Sequence, residues 1–283
     1  MSDTAQPPNF CAIAIIPARY AATRLPGKPL LDLGGKPMIV RTLERALAAR
    51  NVVRALVATD DARIFAAVTN AGYEAVMTRP DHQSGSDRLA EVAETLAHGS
   101  IIVNLQGDEP LIDPRTIERA VDVLLQDPAC AIATTCEPLS TAAEILSPDV
   151  VKVVTDSAGR ALYFSRSPMP FPRDAVRRHG SLELALCAEP DLLPLFRKHT
   201  GLYVYRREFL LEYTRWPQTA LEKAESLEQL RALERGAVIR VIAAVGCSLG
   251  VDTPEDLARA RELVPSSKFQ VQSSKLARPS IKP

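Results

Sequence analysis

The residue pattern predicts an α/β fold, a mostly parallel sheet with helices on both faces. Two observations carry this. Continuous apolar runs of strand length alternate with segments whose apolar residues recur at helical spacing, a βαβα rhythm that sets a parallel sheet between helices. The chain is 283 residues long, which suits one large α/β domain, alone or with an appendage.

The first strand is Cys11 to Ile16, a continuous apolar run. Ile39 to Arg50 reads as a helix with Ile39, Val40, Leu43, Ala46 and Leu47 on one face. Val52 to Ala58 is the next strand and Ala62 to Ala71 the next helix. Ser86 to His98 is a helix, and Ile101 to Gln106 a strand rich in β-branched residues. Pro114 opens a helix whose Ile117, Ala120, Val121 and Leu124 share a face. Crossovers between parallel strands are then right-handed. Past about residue 147 the rhythm changes. Val150 to Val154 and Arg160 to Phe164 read as strands joined by a hairpin turn at Asp156-Ser157-Ala158-Gly159. Residues 167–201 carry five prolines and read as irregular. Leu202 to Arg206 is a short strand, Ala220 to Arg235 a helix, Val238 to Val245 a buried strand, and Pro254 to Leu263 the closing helix. One domain over residues 10–264 is expected, with 1–9 and 265–283 as flexible ends. Leu182, Leu184, Leu186, Leu192, Leu193, Leu195 and Phe196 lie outside any clear core element, so 167–201 is expected to be an insertion that forms a homodimer.

Lys and Arg together number 34, as do Asp and Glu, for a net charge of zero. Proteins devoted to nucleic acid carry a basic balance, so no such partner is expected. Hydrophobic residues are 46% and charged residues 24%, which excludes wholesale disorder. The five cysteines, at 11, 130, 136, 187 and 247, form no CxxC pair and are odd in number. They read as reduced, buried thiols of a cytoplasmic protein. The start, MSDTAQPPNF, has neither the basic region nor the apolar core of a signal peptide. No apolar stretch reaches the roughly 18 residues of a membrane span, so no membrane insertion is expected.

Four loops carry chemistry. Pro17 to Pro29 follows the first strand and holds Arg19, Arg24 and Lys28, with Gly27 beside the lysine. Ligands of parallel sheets bind at the carboxyl ends of strands, and three cations there suit a polyphosphate. Gln106-Gly107-Asp108-Glu109-Pro110 ends an apolar strand in a carboxylate pair, a place for a hard cation such as Mg2+, which takes one or two carboxylates plus phosphate oxygens and water. Asp108 could instead cap a helix or form a turn. Asp252 lies between the last strand and the last helix, where it or Thr253 could cap that helix. Met77 to Arg88 is a polar turn entering a helix, in which Gln83 and Ser84 could read a base edge or a phosphate, or serve only as a cap. No two glycines stand as G-x-G, and Gly34-Gly35-Lys36-Pro37 lacks the features of a P-loop, which removes those nucleotide folds.

IIPARYAATRLPGKPLLDLGGKPMI, MTRPDHQSGSDRLAEV, IIVNLQGDEP, VKVVTDSAGRALYFSR, LEQLRAL and GVDTPEDL stand in this order. Together they resemble the 3-deoxy-manno-octulosonate cytidylyltransferases, the CMP-KDO synthetase family, from about Phe10 to Leu263. The resemblance implies a nucleotide-diphospho-sugar transferase-like fold with a dimerisation segment. It implies coupling of CTP to KDO, an acidic eight-carbon sugar, to give CMP-KDO and diphosphate for lipopolysaccharide synthesis. It carries Arg19 and Lys28 onto the CTP phosphates, and Arg79, Gln83, Ser84 and Gln106 onto the nucleotide side, Gln106 also matching the sugar side. Asp108 and Asp252 match the carboxylates that hold Mg2+, and Lys28, Arg19 and Asp108 match the catalytic set. Arg166, His199, Glu225, Glu228 and Gln229 match the sugar side. Three departures stand out: Ala22 where many relatives carry serine, a long 167–198 segment, and a basic tail past Pro265. Another ulosonic acid, such as sialic acid or 8-amino-KDO, remains an alternative substrate, and a CTP-binding sensor without turnover an alternative role.

Overall fold

The computed structural model describes residues 12–21, 25–246 and 248–264. Cys11, Ala22, Arg24, Cys247 and both terminal segments lie outside the described residues. Nine strands form one sheet: β1 Ala12–Ala18, β2 Val52–Thr59, β3 Glu74–Met77, β4 Ile101–Asn104, β5 Cys130–Pro138, β6 Lys152–Thr155, β7 Ala161–Ser165, β8 Arg197–Arg206 and β9 Val238–Ala243. The order is β3-β2-β1-β4-β8-β5-β9, with β6 on β8 and β7 on β6. The pairs β1–β2, β2–β3, β1–β4 and β5–β9 are parallel. Only β8 and the β6–β7 hairpin run against their neighbours. The sheet is thus mixed but mostly parallel, as the βαβα rhythm predicts.

Strand residues alternate between two cores. Ala14, Ile16, Ile101 and Val103 face helices Met38–Leu47 and Pro114–Gln126. Ile15, Ile102 and Phe164 face helices Gly85–Glu94 and Arg207–Tyr213. Burying both faces in this way supplies most of the stability of a domain this size. Chain order reverses on either side of β1: β2 lies to one side and β4 to the other. A crevice opens at such a switch point, beyond the carboxyl ends of the strands, and loops from β1 and β4 line it.

Several expectations change. Two strands were not foreseen, β3 and β5. Leu47, assigned to a buried helix face, is 40% exposed. The segment 167–201 is not irregular: it forms helices Arg173–His179 and Leu182–Ala188, a 3-10 turn Pro190–Leu195, and the start of β8. Leu186 and Phe196 are buried there against Leu139 and Ile145, with Leu182, Leu192 and Leu193 packed around them. Only Leu184 and Leu195 of the seven apolar residues stay exposed, at 57% and 51%. The expected helix 220–235 is two helices, Ala220–Glu225 and Gln229–Glu234, because Ser226 adopts a left-handed conformation, φ 52° and ψ 50°. Cys130 and Cys136 are buried and free, but Cys187 is exposed, against the expectation of buried thiols.

Candidate active site

The loop after β1 is shaped by Gly27. Its φ of 67° is left-handed, and a Cβ there would lie 3.0 Å from the Tyr20 hydroxyl oxygen, so conformation and space both call for glycine. The Tyr20 ring is itself fixed, with the Arg63 guanidinium 3.3 Å from its centroid. The turn that follows starts at Lys28 and aims its side chain inward. Lys28 Nζ donates to Asp108 Oδ2 at 2.6 Å and to Asp252 Oδ1 at 2.9 Å. Three residues from distant parts of the chain therefore meet at one point. Burial pulls the lysine pKa down, but the two carboxylates outweigh it and hold it above the ordinary value.

Neither aspartate is a helix cap. Asp113 caps helix Pro114–Gln126, accepting from the Arg115 N–H. At the last helix Thr253 is the cap: its hydroxyl accepts from the Asp256 N–H, and Asp256 accepts in return from the N–H groups of Asp252 and Thr253. The work is divided between neighbours, and the Asp252 carboxylate is turned to Lys28.

The strand-to-helix strap that carries Asp252 is pinned along its length. Ala244 N–H bonds Cys136 O, Val245 N–H bonds Thr116 Oγ1, and Val251 N–H bonds Asp108 O, each at 2.9 Å. Ser248 N–H donates to Glu137 Oε1 at 2.8 Å, and the Ser248 hydroxyl donates to Glu109. Desolvation pushes the Glu109 carboxyl above its usual range. Glu137 went unnoticed in the sequence, and Glu109, read there as half of a carboxylate pair for a cation, instead holds Ser248; nothing in QGDEP or CEP says that two acids would grip a serine from the far end of the chain.

Among the described residues no group of three or more His, Cys, Asp and Glu side chains could hold a metal by itself. Asp108 and Asp252 are two carboxylates aimed at a point a cation already occupies, the donor set suited to Mg2+ completed by phosphate and water. The residues present fit that ion.

A second feature opens beyond β4 and β8. A cavity of about 230 Å³ is lined by Ser86, Asn104, Gln106, Tyr203, Tyr205, Tyr213, Ser226, Glu228 and Gln229, among others. Asn104 Oδ1 and Gln229 Nε2 are buried without a hydrogen-bond partner, as groups awaiting a polar ligand are. Tyr203, Tyr205 and Tyr213 stack with centroids 5.8 and 6.4 Å apart. Burial raises the pKa of all three, so their hydroxyls stay protonated. Ser86 donates to Glu228 Oε2 at 2.7 Å. Of the expected sugar-side residues, Gln106, Glu228 and Gln229 line this cavity. Asn104 and the tyrosines were missed, although Asn104 ends an apolar strand and Tyr203 and Tyr205 share one strand face.

The other expected residues do not line this cavity. Arg166 donates from Nε to Glu225 O at 2.7 Å, from Nη1 to Pro148 O at 2.9 Å and from Nη2 to Ser226 O at 3.4 Å. Its guanidinium is thus engaged by carbonyls, and does not project openly from the strand end. Glu225 accepts from Ser165 Oγ at 2.6 Å and from Arg166 N–H at 2.9 Å. His199 Nε2 lies 2.9 Å from Thr134 Oγ1, edge-on to Phe164, and desolvation lowers its pKa to about 3. Arg19 donates to the carbonyls of His82 and Ser84, at 2.6 and 3.3 Å, and so ties the first loop to the 79–84 turn. Ser84 caps helix Gly85–Glu94 in a capping box with Asp87. Arg79 and Gln83 line a separate cavity of about 540 Å³ that also takes in Asp81, Asp87, Glu91 and Glu94. Four carboxylates make that larger cavity a poor host for a triphosphate.

A family model described as Cytidylyltransferase matches residues 13–240. A 3-deoxy-manno-octulosonate cytidylyltransferase of Trichlorobacter lovleyi is 54% identical over 250 residues, covering 88% of this chain and 97% of that protein. One from Geobacter sulfurreducens is 53% identical over 249 residues, with coverage of 88% and 97%. A solved CMP:2-keto-3-deoxy-manno-octonic acid synthetase complexed with CTP superposes with a TM-score of 0.79 at 44% identity, over 93% of this chain and 99% of that one. A nucleotidyl transferase from Methanothermobacter thermautotroptrophicus, 16% identical with a TM-score of 0.55 over 89% of this chain and 97% of that one, shares the fold. Fold, motif order and overall identity agree: the chain belongs to the cytidylyltransferase family, with the 3-deoxy-manno-octulosonate cytidylyltransferases as its kin.

Proposed function

We propose that this protein joins CTP to 3-deoxy-D-manno-octulosonate, giving CMP-KDO and diphosphate. The observation that carries the reading is the meeting of Lys28, Asp108 and Asp252 beyond the strand ends. The names of its relatives supply the substrates. The anomeric hydroxyl oxygen of the sugar attacks the α-phosphorus. A phosphorus–oxygen bond forms, the bond to the diphosphate breaks, and the hydroxyl proton is released.

Asp108 and Asp252 are the residues to hold Mg2+, which when bound offsets the charge of the phosphate oxygens. Lys28 and Arg19 bind the triphosphate. Lys28 has a flexible four-carbon stem and can follow the charge as it moves onto the leaving diphosphate. The sugar occupies the cavity of Asn104, Gln106, Glu228 and Gln229, whose three amides and one carboxylate suit hydroxyl groups. Three of the five Arg166 N–H groups are engaged, which leaves two for the sugar carboxylate. His199 stays neutral and orients; it brings no charge.

Release of diphosphate from CTP, coupled to pyrophosphatase over a panel of 2-keto sugar acids, tests this. KDO is expected to give the highest kcat/KM. No release with KDO, or a preference for sialic acid or 8-amino-KDO, would overturn it. A homodimer and a cytoplasmic location belong to the same proposal. Leu162, Phe171, Leu184 and Leu195 are exposed in or beside the 167–201 segment and support a partner surface. A monomer at micromolar concentration in light scattering would refute the dimer. Among the described residues no helix is long and apolar enough to cross a membrane.

A further inference from the structure

We infer that Thr134 is a positioning residue of the sugar side: its hydroxyl fixes the hydrogen of the His199 imidazole on Nε2 and leaves Nδ1 as an acceptor for a sugar hydroxyl. The inference rests on reading the cavity beside His199 as the place of the sugar. A threonine hydroxyl has one hydrogen to give. Thr134 is fully buried on β5, with its Oγ1 2.7 Å from Leu202 O and 2.9 Å from His199 Nε2. A carbonyl can only accept, so that one hydrogen goes to Leu202 O. Oγ1 must then accept from the imidazole, and Nε2 carries the ring hydrogen. A bulge makes the Leu202 carbonyl available: Thr134 pairs with Tyr203 and Thr135 with Thr200, so Gly201 and Leu202 have no partner on β5. With the hydrogen on Nε2, the neutral ring has a lone pair at Nδ1. Its surroundings keep it neutral. The ring lies against the edge of Phe164 and beside Tyr203, no carboxylate pairs with it among the described residues, and desolvation lowers its pKa to about 3. A group so weakly basic accepts a hydrogen bond without taking the proton. The ring stands at the edge of the cavity. Its centroid is 5.3 Å from that of Tyr203, a lining residue. Two residues on, Gly201 passes so close to Gln106, another lining residue, that a Cβ there would lie 3.0 Å from Gln106 Cγ. A bare nitrogen at this edge receives a hydroxyl hydrogen and repels a carboxylate. It therefore sets which side of an acidic sugar lies against β8, and leaves the acid group to Arg166.

Nitrogen-15 NMR of the full chain, labelled at histidine, reads the tautomer, with His199→Gln showing which of the four histidines is His199. In wild type at neutral pH and without sugar, Nε2 is expected to appear as the protonated nitrogen and Nδ1 as the bare one. The reverse assignment would overturn the inference. Adding KDO with CTP, and no metal ion, is expected to shift Nδ1 in the direction of an accepted hydrogen bond and to leave Nε2 in place. No shift at Nδ1, or an imidazolium with both nitrogens protonated as contact with the sugar carboxylate would give, overturns the hydroxyl contact. Thr134→Val keeps the side-chain shape and removes the hydroxyl. It is expected to mix the two tautomers and to lower kcat/KM for KDO by about three- to tenfold, the worth of one neutral hydrogen bond, with the KM for CTP unchanged. Thr134→Ser, which keeps the hydroxyl, should restore both tautomer and kcat/KM. Thr134→Val protein that retains the wild-type tautomer, or loses equally towards both substrates, would refute the positioning role. If Thr134→Val does not fold, the two wild-type spectra still decide. Failure of the KDO reading shows separately, as no diphosphate release from wild type with KDO, and the sugar-free spectrum then still decides the tautomer.

Discussion

Asp252→Asn separates a catalytic role from a structural one. The Lys28–Asp252 pair spans 2.9 Å, but the aspartate side chain is 46% exposed and the lysine keeps Asp108 at 2.6 Å. An ion pair so open to solvent contributes about 0–1 kcal/mol. Asparagine retains an oxygen acceptor of the same shape, and the bond from the residue 252 N–H to Asp256 is untouched. In a domain of this size, 1 kcal/mol moves Tm by about 2–4 °C, so the melting temperature should stay within that range. Activity should respond far more. Removing one charge-stabilising group from such a site costs a factor of about 10²–10³ in kcat. The assay is diphosphate release at saturating Mg2+, CTP and KDO, beside a thermal melt. Asp108→Asn should behave alike, since the bond from Val251 N–H runs to its backbone carbonyl. Near wild-type turnover for either variant would show that its carboxylate is no metal ligand. A collapse in Tm equal to the loss of activity would refute the separation.

Lys28→Met should raise the KM for CTP and slow turnover, costing about 3 kcal/mol in kcat/KM; unchanged kinetics would return the loop to a solvated role. Arg166→Lys cannot reach the carbonyls of Glu225, Pro148 and Ser226 together, so it should weaken KDO use by about 1–3 kcal/mol and CTP binding less; equal damage to both substrates would refute a sugar-side role. His199 has a pKa of about 3 in the fold against an ordinary 6.5, so the unfolded chain takes up the proton first as pH falls. Its contribution to stability is complete above pH 6.5 and is lost as pH falls towards 3. The stability gap between wild type and His199→Gln in urea unfolding should therefore narrow on acidification, and a gap that does not change with pH would refute the neutral imidazole.

How legible each element was depends on what holds it. The strand before Arg19, the helix from Pro114 and the helix from Pro254 to Leu263 declare themselves locally, through apolar runs, a proline in the first turn and a cap. β3 is four residues long and only half-buried, too short for a periodic signal. The first half of β8, Arg197 to Gly201, hid because it is polar and pairs with Thr135, Cys136, Glu137 and Pro138 only through tertiary contact. The break at Ser226 hid because helical propensity runs on through LEKAESLEQL. What stops the helix is tertiary: Arg166 draws the carbonyls of Glu225 and Ser226 sideways. Lys28, Asp108 and Asp252 were visible as loop residues at strand ends. Their meeting followed only from the family resemblance, because no spacing rule links residues so far apart.

The same contrast explains how a site of three distant residues holds its shape. Asp108 and Asp252 are fixed less by the Lys28 ammonium they share than by what lies behind each. The backbone of Val251 bonds the Asp108 carbonyl, so the two loops are tied before either carboxylate finds a cation. Val251 itself is fully buried with Leu33 and Met38, which flank the turn that carries Lys28 into the helix Met38–Leu47. One small apolar cluster therefore sets the positions of all three charged residues. Glu109, next to Asp108, and Glu137, at the end of β5, hold the strap from the other side through Ser248. Rigid placement of the two carboxylates leaves Lys28, on its flexible four-carbon stem, to follow the charge as it passes to the leaving diphosphate.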